Sequence, residues 1–430
     1  MNRLLNNASW LIGGRLVQAL LSFFVSMLSA RYLGPSNYGL INYATSLIAF
    51  ITPFMTLGIN NILVQELIAN PCNEGEILGT SLISCCVTSV LGMMTAVSFV
   101  AVFNHNEKDT IIVVALYSIS LLTQALEMIQ YWFQAKLLSK YIAVISLVSY
   151  IIVSSYKIFL LFTRKSVYWF AVSYAVDYLI IAILLLAYYK KMGGQKLSAS
   201  FSRLKLLFCK SRYYIISGLM VTLFTQTDKI MLKFMLGENA TGYYSAAVVC
   251  AGLASFVFAA IIDSFRPAIF QNKEVGQEAF ERSVRKLYSI VIYLSLIQCV
   301  SMTILAKVII YITYGKSYYP AVSVLQISVW YTTFSYIGTV RNIWILAEEK
   351  QKYLWIINMF GAVANVVINV ILIPIMGVNG AAIASLLTQF FSNVVVGYLL
   401  KPIRHNNTLM MQALNPQELC EMFKHVKLKK

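Results

Sequence analysis

Long apolar runs, each ended by a short polar connection, follow one another along almost the whole chain. A helix needs about 20 apolar residues to cross the hydrocarbon of a bilayer. On that measure the pattern predicts twelve spanning helices, at about 8–30, 40–64, 78–102, 110–134, 141–162, 167–189, 213–235, 243–265, 287–308, 320–346, 353–375 and 378–400. Most connections are short, and the longest are 190–212 and 266–286. Pro53 falls inside the second run and predicts a kink, because its ring removes a helical hydrogen bond and crowds the preceding turn. The first run is too long for a cleaved signal peptide and has no clear small-residue cleavage site, so it reads as a retained span.

A second pattern lies over the first. Leu33-Gly34-Pro35-Ser36-Asn37-Tyr38-Gly39 and the Ala44 that follows are echoed 203 residues later by Leu236-Gly237, Gly242 and Ala247 at the same spacing. Each copy follows the first long apolar run of its half. The offset corresponds to six spans, an even number, so both halves enter the membrane in the same direction. The expected fold is an all-α polytopic membrane protein, with two six-helix bundles related by a pseudo-twofold axis along the membrane normal. The bundles should cover 1–189 and 213–402, joined by a basic linker at 190–212 and followed by a tail at 403–430. Gly34, Gly39, Gly237 and Gly242 suit tight turns on the outer side.

Composition agrees with the pattern. The chain of 430 residues is 59% hydrophobic and 12% charged, too apolar to cover a water-soluble surface. Its formal net charge of +17 would suggest nucleic acid in a soluble protein. Here the basic residues lie between spans and collect on one side, in 190–212, 266–286, the tail, and at Lys136, Lys140, Lys350 and Lys352. The positive-inside rule makes that side cytoplasmic, with both termini there, and removes nucleic acid as a partner. Membrane lipids are the expected neighbours, and the linker's charge suits either topology or anionic headgroups. Seven scattered cysteines, with only Cys85-Cys86 close together, carry no metal or disulfide spacing. His105, His405 and His425 lack ligand spacing as well, and no cofactor is expected. Gly315-Lys316-Ser317 lacks the earlier glycine of a phosphate-binding loop, so drive should come from a gradient, H⁺ or Na⁺, or from consumption of product.

Several stretches carry a family resemblance. Thr227-Asp228-Lys229-Ile230-Met231-Leu232-Lys233 with Leu236-Gly237 and Gly242-Tyr243-Tyr244-Ser245-Ala246-Ala247 resembles the seventh-helix motif of polysaccharide flippases. These are the Wzx-type O-unit transporters of the multidrug/oligosaccharidyl-lipid/polysaccharide exporter superfamily. Tyr131-Trp132-Phe133-Gln134-Ala135-Lys136 resembles that family's aromatic-Gln-basic pattern. Glu348 and Lys350, followed by Ala362, Asn365, Asn369, Pro374, Gly377 and Gly380-Ala381-Ala382, resemble its last two spans. The resemblance implies a bacterial inner-membrane flippase for an undecaprenyl-diphosphate-linked oligosaccharide, such as an O-antigen unit of lipopolysaccharide. It would move cargo from the cytoplasmic to the periplasmic leaflet by alternating access, alongside other polysaccharide assembly proteins. The rivals are a cation-coupled multidrug or peptidoglycan-precursor exporter on the same fold, and a membrane glycan polymerase or ligase. The short outer loops offer the last of these little catalytic platform.

Charges deep in the spans are the candidate working parts. Each costs about 2.5–3.5 kcal/mol at a helix centre, so Arg15, Glu127, Lys157, Asp177, Asp228, Lys229 and Arg341 together imply a hydrated or paired interior. Arg15, Arg341, Lys229 and Lys157 are candidates to bind the diphosphate, the arginines through their planar donor forks. Ion pairing in the bundle, or snorkelling of Lys157 to the interface, is the competing role. Glu127, Asp177 and Asp228 are candidates to bind H⁺ or Na⁺. Ser217, Thr222, Thr225 and Gln226 form a polar face on the seventh span suited to lining a cavity, with Thr225 and Gln226 as substrate contacts. Tyr131, Trp132, Phe133 and Trp10 suit interfacial packing. Glu66 and Asp263, near cytoplasmic helix ends, are expected to find solvent or a basic neighbour.

Overall fold

Gly34 stops the first helix without ending the run. The computed structural model describes residues 2–415, with side chains for Gln18 and from residue 21 onward. α1 (Asn2–Met55) is broken at Gly34, which has φ 74 and ψ 172. That conformation is open essentially to glycine alone. Pro35 then starts the next helical stretch, where its missing N–H costs nothing. Gly237 takes nearly the same conformation, φ 88 and ψ −178, between α8 (Phe201–Leu236) and α9 (Glu238–Ala251). The echo in the sequence is therefore an echo in the backbone. Gly39 and Gly242, however, lie inside the following helices and are buried, so only the first glycine of each motif makes the turn.

The remaining helices of the first half are α2 (Leu63–Ala69), α3 (Glu74–Phe103), α4 (Lys108–Leu126), α5 (Gln130–Ala135), α6 (Ser139–Phe162) and α7 (Val167–Lys191). In the second half they are α10 (Ser255–Val275), α11 (Gln277–Thr313), α12 (Ala321–Ala347), α13 (Lys352–Met376), α14 (Val378–Phe390), α15 (Val396–Leu399) and α16 (Arg404–Gln412). Ten segments among the described residues are long and apolar enough to cross a membrane. One of them, Leu21–Met55, is divided by Gly34. α12 is long enough to span but buries Ser328, Thr332, Thr333 and Arg341, which explains why apolarity alone passes over it. With these two adjustments the expected twelve spans are present.

The helices are built inside out relative to a soluble protein. On α13, Val363, Val367, Val370, Ile371 and Ile375 are exposed, whereas Asn365 and Asn369 are buried. α11 exposes Ile297, Val300, Ile304, Val308 and Tyr311 at the same three-to-four spacing. Such stripes would be a liability in water and are the normal lipid-facing surface of a multi-pass membrane protein.

The chain forms two compact units, 1–226 and 227–430, and the division falls inside α8. In the first, α4 packs on α3 and α7, and α1 packs on α6. Pro53 leads to a break after Met55, where Leu57 and Gly58 both have positive φ, 51 and 67. Backbone freed inside a membrane must find other partners. Thr88 Oγ1 donates to the Met55 carbonyl at 2.6 Å and Ser211 Oγ to the Leu57 carbonyl at 2.7 Å. Lys210 Nζ meets Glu66 at 2.5 Å, the basic neighbour expected for that carboxylate. Asp263 lies exposed beside Arg266, at 3.1 Å. The start of the basic linker runs along α3: Gly75 N donates to Gln195 Oε1 at 2.9 Å, and Ser200 N to Thr80 Oγ1 at 3.0 Å. Its second part is already helix α8.

The second unit packs α12 against α9, α11 and α14, and α13 against α14. Phe258 stacks on Tyr336 with ring centres 4.0 Å apart, beside buried Tyr288 and Trp344. α14 runs into a π-helical turn, Phe391–Val395. A π turn weakens regular pairing, and side chains from elsewhere take up its carbonyls. Arg341 Nη1 donates to the Ser392 carbonyl at 2.9 Å, and Asn407 Nδ2 to the Val394 carbonyl at 2.6 Å.

One turn recurs in both units with its charges exchanged. After α5, Leu137 has φ 57 and Leu138 N donates to the Phe133 carbonyl at 2.7 Å. After α12, Glu349 has φ 55 and Lys350 N donates to the Ile345 carbonyl at 2.9 Å. In the first unit Lys136 pairs with Glu74, which also accepts from Trp132 Nε1 at 2.8 Å. In the second, Glu348 pairs with Lys273 and lies 3.5 Å from Lys350. Trp132 and Phe133 are buried here, so they pack within the unit.

Candidate functional site

The best-defined polar cluster lies in the second unit, around Asp228. α8 carries this residue in its last turns, and it is 5% exposed. Four donors converge on its carboxylate. Asn365 Nδ2 and Asn369 Nδ2, one turn apart on α13, reach Oδ1 at 3.0 and 2.6 Å. Ser385 Oγ, on α14, reaches Oδ2 at 2.5 Å, and the Tyr244 hydroxyl on α9 donates to the same oxygen. The shell is itself linked: Tyr244 and Ser385 hydroxyls are 3.0 Å apart, and Asn369 Nδ2 is 3.1 Å from Asn365 Oδ1. Asn369 Oδ1 is buried with no hydrogen-bond partner among the described residues. A buried polar atom left unpaired is costly and marks a place where a ligand would be welcome.

The cluster holds one acidic group, met by two amide N–H and two hydroxyl donors, with the amide oxygens of Asn365 and Asn369 beside them. Hard cations take oxygen ligands. No group of three His, Cys, Asp or Glu that could hold a metal ion occurs among the described residues. A single carboxylate among neutral partners is matched in charge to a proton or a small monovalent cation.

A second polar region lies within the first unit. Ser149 Oγ on α6 donates to Asp177 Oδ1 on α7 at 2.6 Å. Lys157 Nζ sits 4.4 Å from the centre of the Tyr174 ring, an attractive position for a cation. Asp177 is within electrostatic range of both Lys157 and Glu127, which begins the short turn after α4. A cavity of about 90 Å³ is lined by Lys157 with Tyr150, Tyr174, Tyr38 and Ser26. The structure thus brings three of the deep charges, Glu127, Lys157 and Asp177, into one neighbourhood.

The other expected site residues fall elsewhere. Arg341 is 3% exposed; it donates to the Ser392 carbonyl and, from Nη2, to Asn342 Oδ1 at 3.1 Å. Two of its guanidinium nitrogens thus meet the protein's own groups, and Nε is buried with no hydrogen-bond partner among the described residues. Lys229 neighbours Asp228 and lies within its electrostatic reach. Gln226 Oε1 accepts from Ser46 Oγ at 3.0 Å, and Thr225 Oγ1 donates back to the Val221 carbonyl at 3.0 Å. The side chains of Arg15 and Trp10 lie outside the described residues. Sequence reasoning named Asp228 but missed the roles of Asn365, Asn369, Ser385 and Tyr244. The available signal was the pair of asparagines four residues apart, hence on one face, in an otherwise apolar span.

Comparisons with known proteins bear on this arrangement. A family profile described as "Polysaccharide biosynthesis protein" (Polysacc_synt) matches residues 4–273. The "Capsular polysaccharide biosynthesis protein CapF" of Staphylococcus aureus is 22% identical over 407 residues, covering 93% of this chain and 100% of that protein. Among solved structures, the inward closed conformation of the lipid II flippase MurJ superposes with a TM-score of 0.73 at 14% identity, covering 94% of this chain and 90% of the other. An inward-facing multidrug resistance MATE transporter of the MOP superfamily gives 0.67 at 14% identity, covering 92% and 96%. These structural likenesses establish the fold.

Proposed function

From the premise that this chain belongs to the polysaccharide biosynthesis protein family, we propose that it is a flippase for a lipid-diphosphate-linked oligosaccharide. Cargo is taken from the cytoplasmic leaflet and released into the outer leaflet of the inner membrane by alternating access, with both termini cytoplasmic. What carries the reading is a family match over more than half of the chain, joined to a full-length fold shared with a lipid II flippase. The relative named for capsular polysaccharide widens the cargo to capsule as well as O-antigen units.

Two parts of the structure support a mechanism. The Asp228 cluster gathers α8, α9, α13 and α14 onto one carboxylate, so binding or losing a cation there changes how four spans are held. Ion coupling is assigned to Asp228, with Glu127 and Asp177 as a second titratable pair. Lys229, Lys157 and Arg15 are assigned to the cargo's diphosphate, with Thr225 and Gln226 as neutral contacts. Arg341 is assigned to holding the π turn after α14, where its guanidinium already has a carbonyl partner.

Reconstitution tests the proposal. Liposomes containing the purified protein and a fluorescent undecaprenyl-diphosphate-linked glycan should show leaflet transfer, faster with an imposed Na⁺ or H⁺ gradient. Absence of transfer for every such lipid, together with efflux of a cationic drug, would replace this reading with a multidrug exporter. Glycan elongation by the protein alone would replace it with a polymerase.

A further inference from the structure

The break in α1 opens a second, larger pocket, and its chemistry differs from that of the charged clusters. The pocket has a volume of about 540 Å³ and lies wholly within the first unit, between the end of α1, the end of α4 and the middle of α8. That size is within the usual range of small-ligand sites, about 300–1,000 Å³. No ionised side chain lines it. Its polar groups are the amides of Asn60, Asn61 and Gln124 and the hydroxyls of Thr52, Thr56, Tyr214, Ser217 and Thr222. Glu127, three residues beyond Gln124 in the turn that follows α4, is the nearest acid along the chain and is not among the lining residues.

The hydrogen-bonding roles are already divided. Thr52 Oγ1 donates to the Ile48 carbonyl at 2.9 Å, and Thr222 Oγ1 to the Gly218 carbonyl at 3.0 Å. With their protons committed, these hydroxyls can only accept from a ligand. The Gln124 amide and the Ser217 hydroxyl have no intramolecular hydrogen bond among the described residues, so they can donate and accept. Between the polar groups, Pro53, Gly218 and Val221 supply a flat apolar surface. A Cβ added at Gly218 would stand 3.2 Å from Pro53 Cβ and Cγ, so the bare glycine keeps this floor open.

The pocket is also firmly framed. Gly58, with φ 67, lets the turn approach α8 so closely that a Cβ there would meet the Ser211 carbonyl at 2.6 Å. The Lys210–Glu66 pair and the Ser211–Leu57 bond fasten the same turn to α8. It lies at the helix ends that the charge asymmetry assigns to the cytoplasm.

We propose that this pocket is the subsite for a neutral sugar ring of the cargo, bearing hydroxyl or N-acetyl groups, and that it does not bind the diphosphate. Mixed neutral donors and acceptors around a small apolar face match a sugar, whose edges hydrogen-bond and whose faces are apolar. A diphosphate would find no cation here. The inference rests on the flippase reading and places sugar recognition on the loading side, apart from the charged residues.

The test uses the purified full-length protein in detergent and the neutral disaccharide di-N-acetylchitobiose, observed by saturation-transfer difference NMR. The expected result is transfer to the N-acetyl methyl and ring protons, undiminished by inorganic pyrophosphate. Gln124→Ala should weaken binding about threefold to tenfold, the weight of one neutral hydrogen bond. Gly218→Leu, which fills the floor and improves helix propensity, should abolish it. No signal with the unaltered protein, signals in both variants equal to that of the unaltered protein, or displacement by pyrophosphate each overturns the subsite. Leaflet transfer of the lipid-linked glycan is measured alongside. If the unaltered protein transfers nothing, the flippase reading fails; if Gly218→Leu transfers at the full rate, only the subsite fails.

Discussion

Replacing Asp228 in two ways separates its structural work from its proposed ionic work. Asparagine keeps the shape. Its amide oxygen can still accept from Asn365 and Asn369, and its NH₂ can donate to the Tyr244 and Ser385 hydroxyls, which can turn to accept. Bonds to a charged group contribute about 1.5–3 kcal/mol each and neutral ones about 0.5–1.5, so four weaker bonds oppose folding. Removing a buried charge offsets this by several kcal/mol, and Asp228→Asn should stay within about 2 kcal/mol of the original stability. Alanine leaves the donors behind. Tyr244 and Ser385, 3.0 Å apart, can satisfy each other, which leaves mainly the two asparagine amides. At about 1–3 kcal/mol for each orphaned group, Asp228→Ala should cost about 2–6 kcal/mol, a large part of a marginal stability. The assays are thermal unfolding in detergent and transfer in liposomes with and without an imposed gradient. Asparagine should fold well yet lose gradient stimulation; alanine should fold poorly. An asparagine variant that responds fully to the gradient, or an alanine variant as stable as asparagine, would refute the reasoning.

Gly34→Ala and Gly237→Ala should each cost about 1–3 kcal/mol in thermal unfolding, because nothing lies within 4 Å of either added Cβ and backbone strain alone acts. Equal, additive losses are expected; a neutral effect at either site would remove the strain argument. Glu66→Ala leaves Lys210 without its partner and should cost about 1–3 kcal/mol, between an exposed and a buried pair, with faster proteolysis of the Leu57–Gly58 turn. Glu348 sits in the turn after α12; burial pushes its carboxyl up, but the bonds and charges of Lys273 and Lys350 together hold it below the ordinary 4.5. A carboxyl depressed on folding stabilises above its ordinary pKa and stops doing so as the pH falls through its folded value. The stability gap between the unaltered protein and Glu348→Gln should therefore be full at pH 7 and close on acidification below about 4.5; a gap constant with pH would count against the pairing.

Local pattern was enough for the spans and for the first glycine of each repeat, because length and φ are properties of short stretches. It did not distinguish Gly34 from Gly39, since one glycine serves a turn and the other close packing, and the sequence shows the same letter. The Asp228 shell was less legible. Its partners lie 137 to 157 residues away on α13 and α14, apart from Tyr244, and only folding brings them together. Arg341 donates to a backbone carbonyl exposed by a π turn, a partner that no side-chain pattern announces. The neutral pocket was half visible: Ser217 and Thr222 line it, whereas Thr225 and Gln226, on the same expected face, do not.

The exchanged charges after α5 and α12 make the two turns non-interchangeable. Writing the first turn into the second half would set lysine in place of Glu348, facing Lys273. The reverse copy would set glutamate in place of Lys136, facing Glu74 beneath Trp132. Either product confronts like charges at a helix junction, a penalty that favours the original arrangement. The opposite polarity of the two junctions thus gives each half its own lock and key, and chimeric proteins made by swapping the turns singly should misfold where a reciprocal swap of both partners is tolerated.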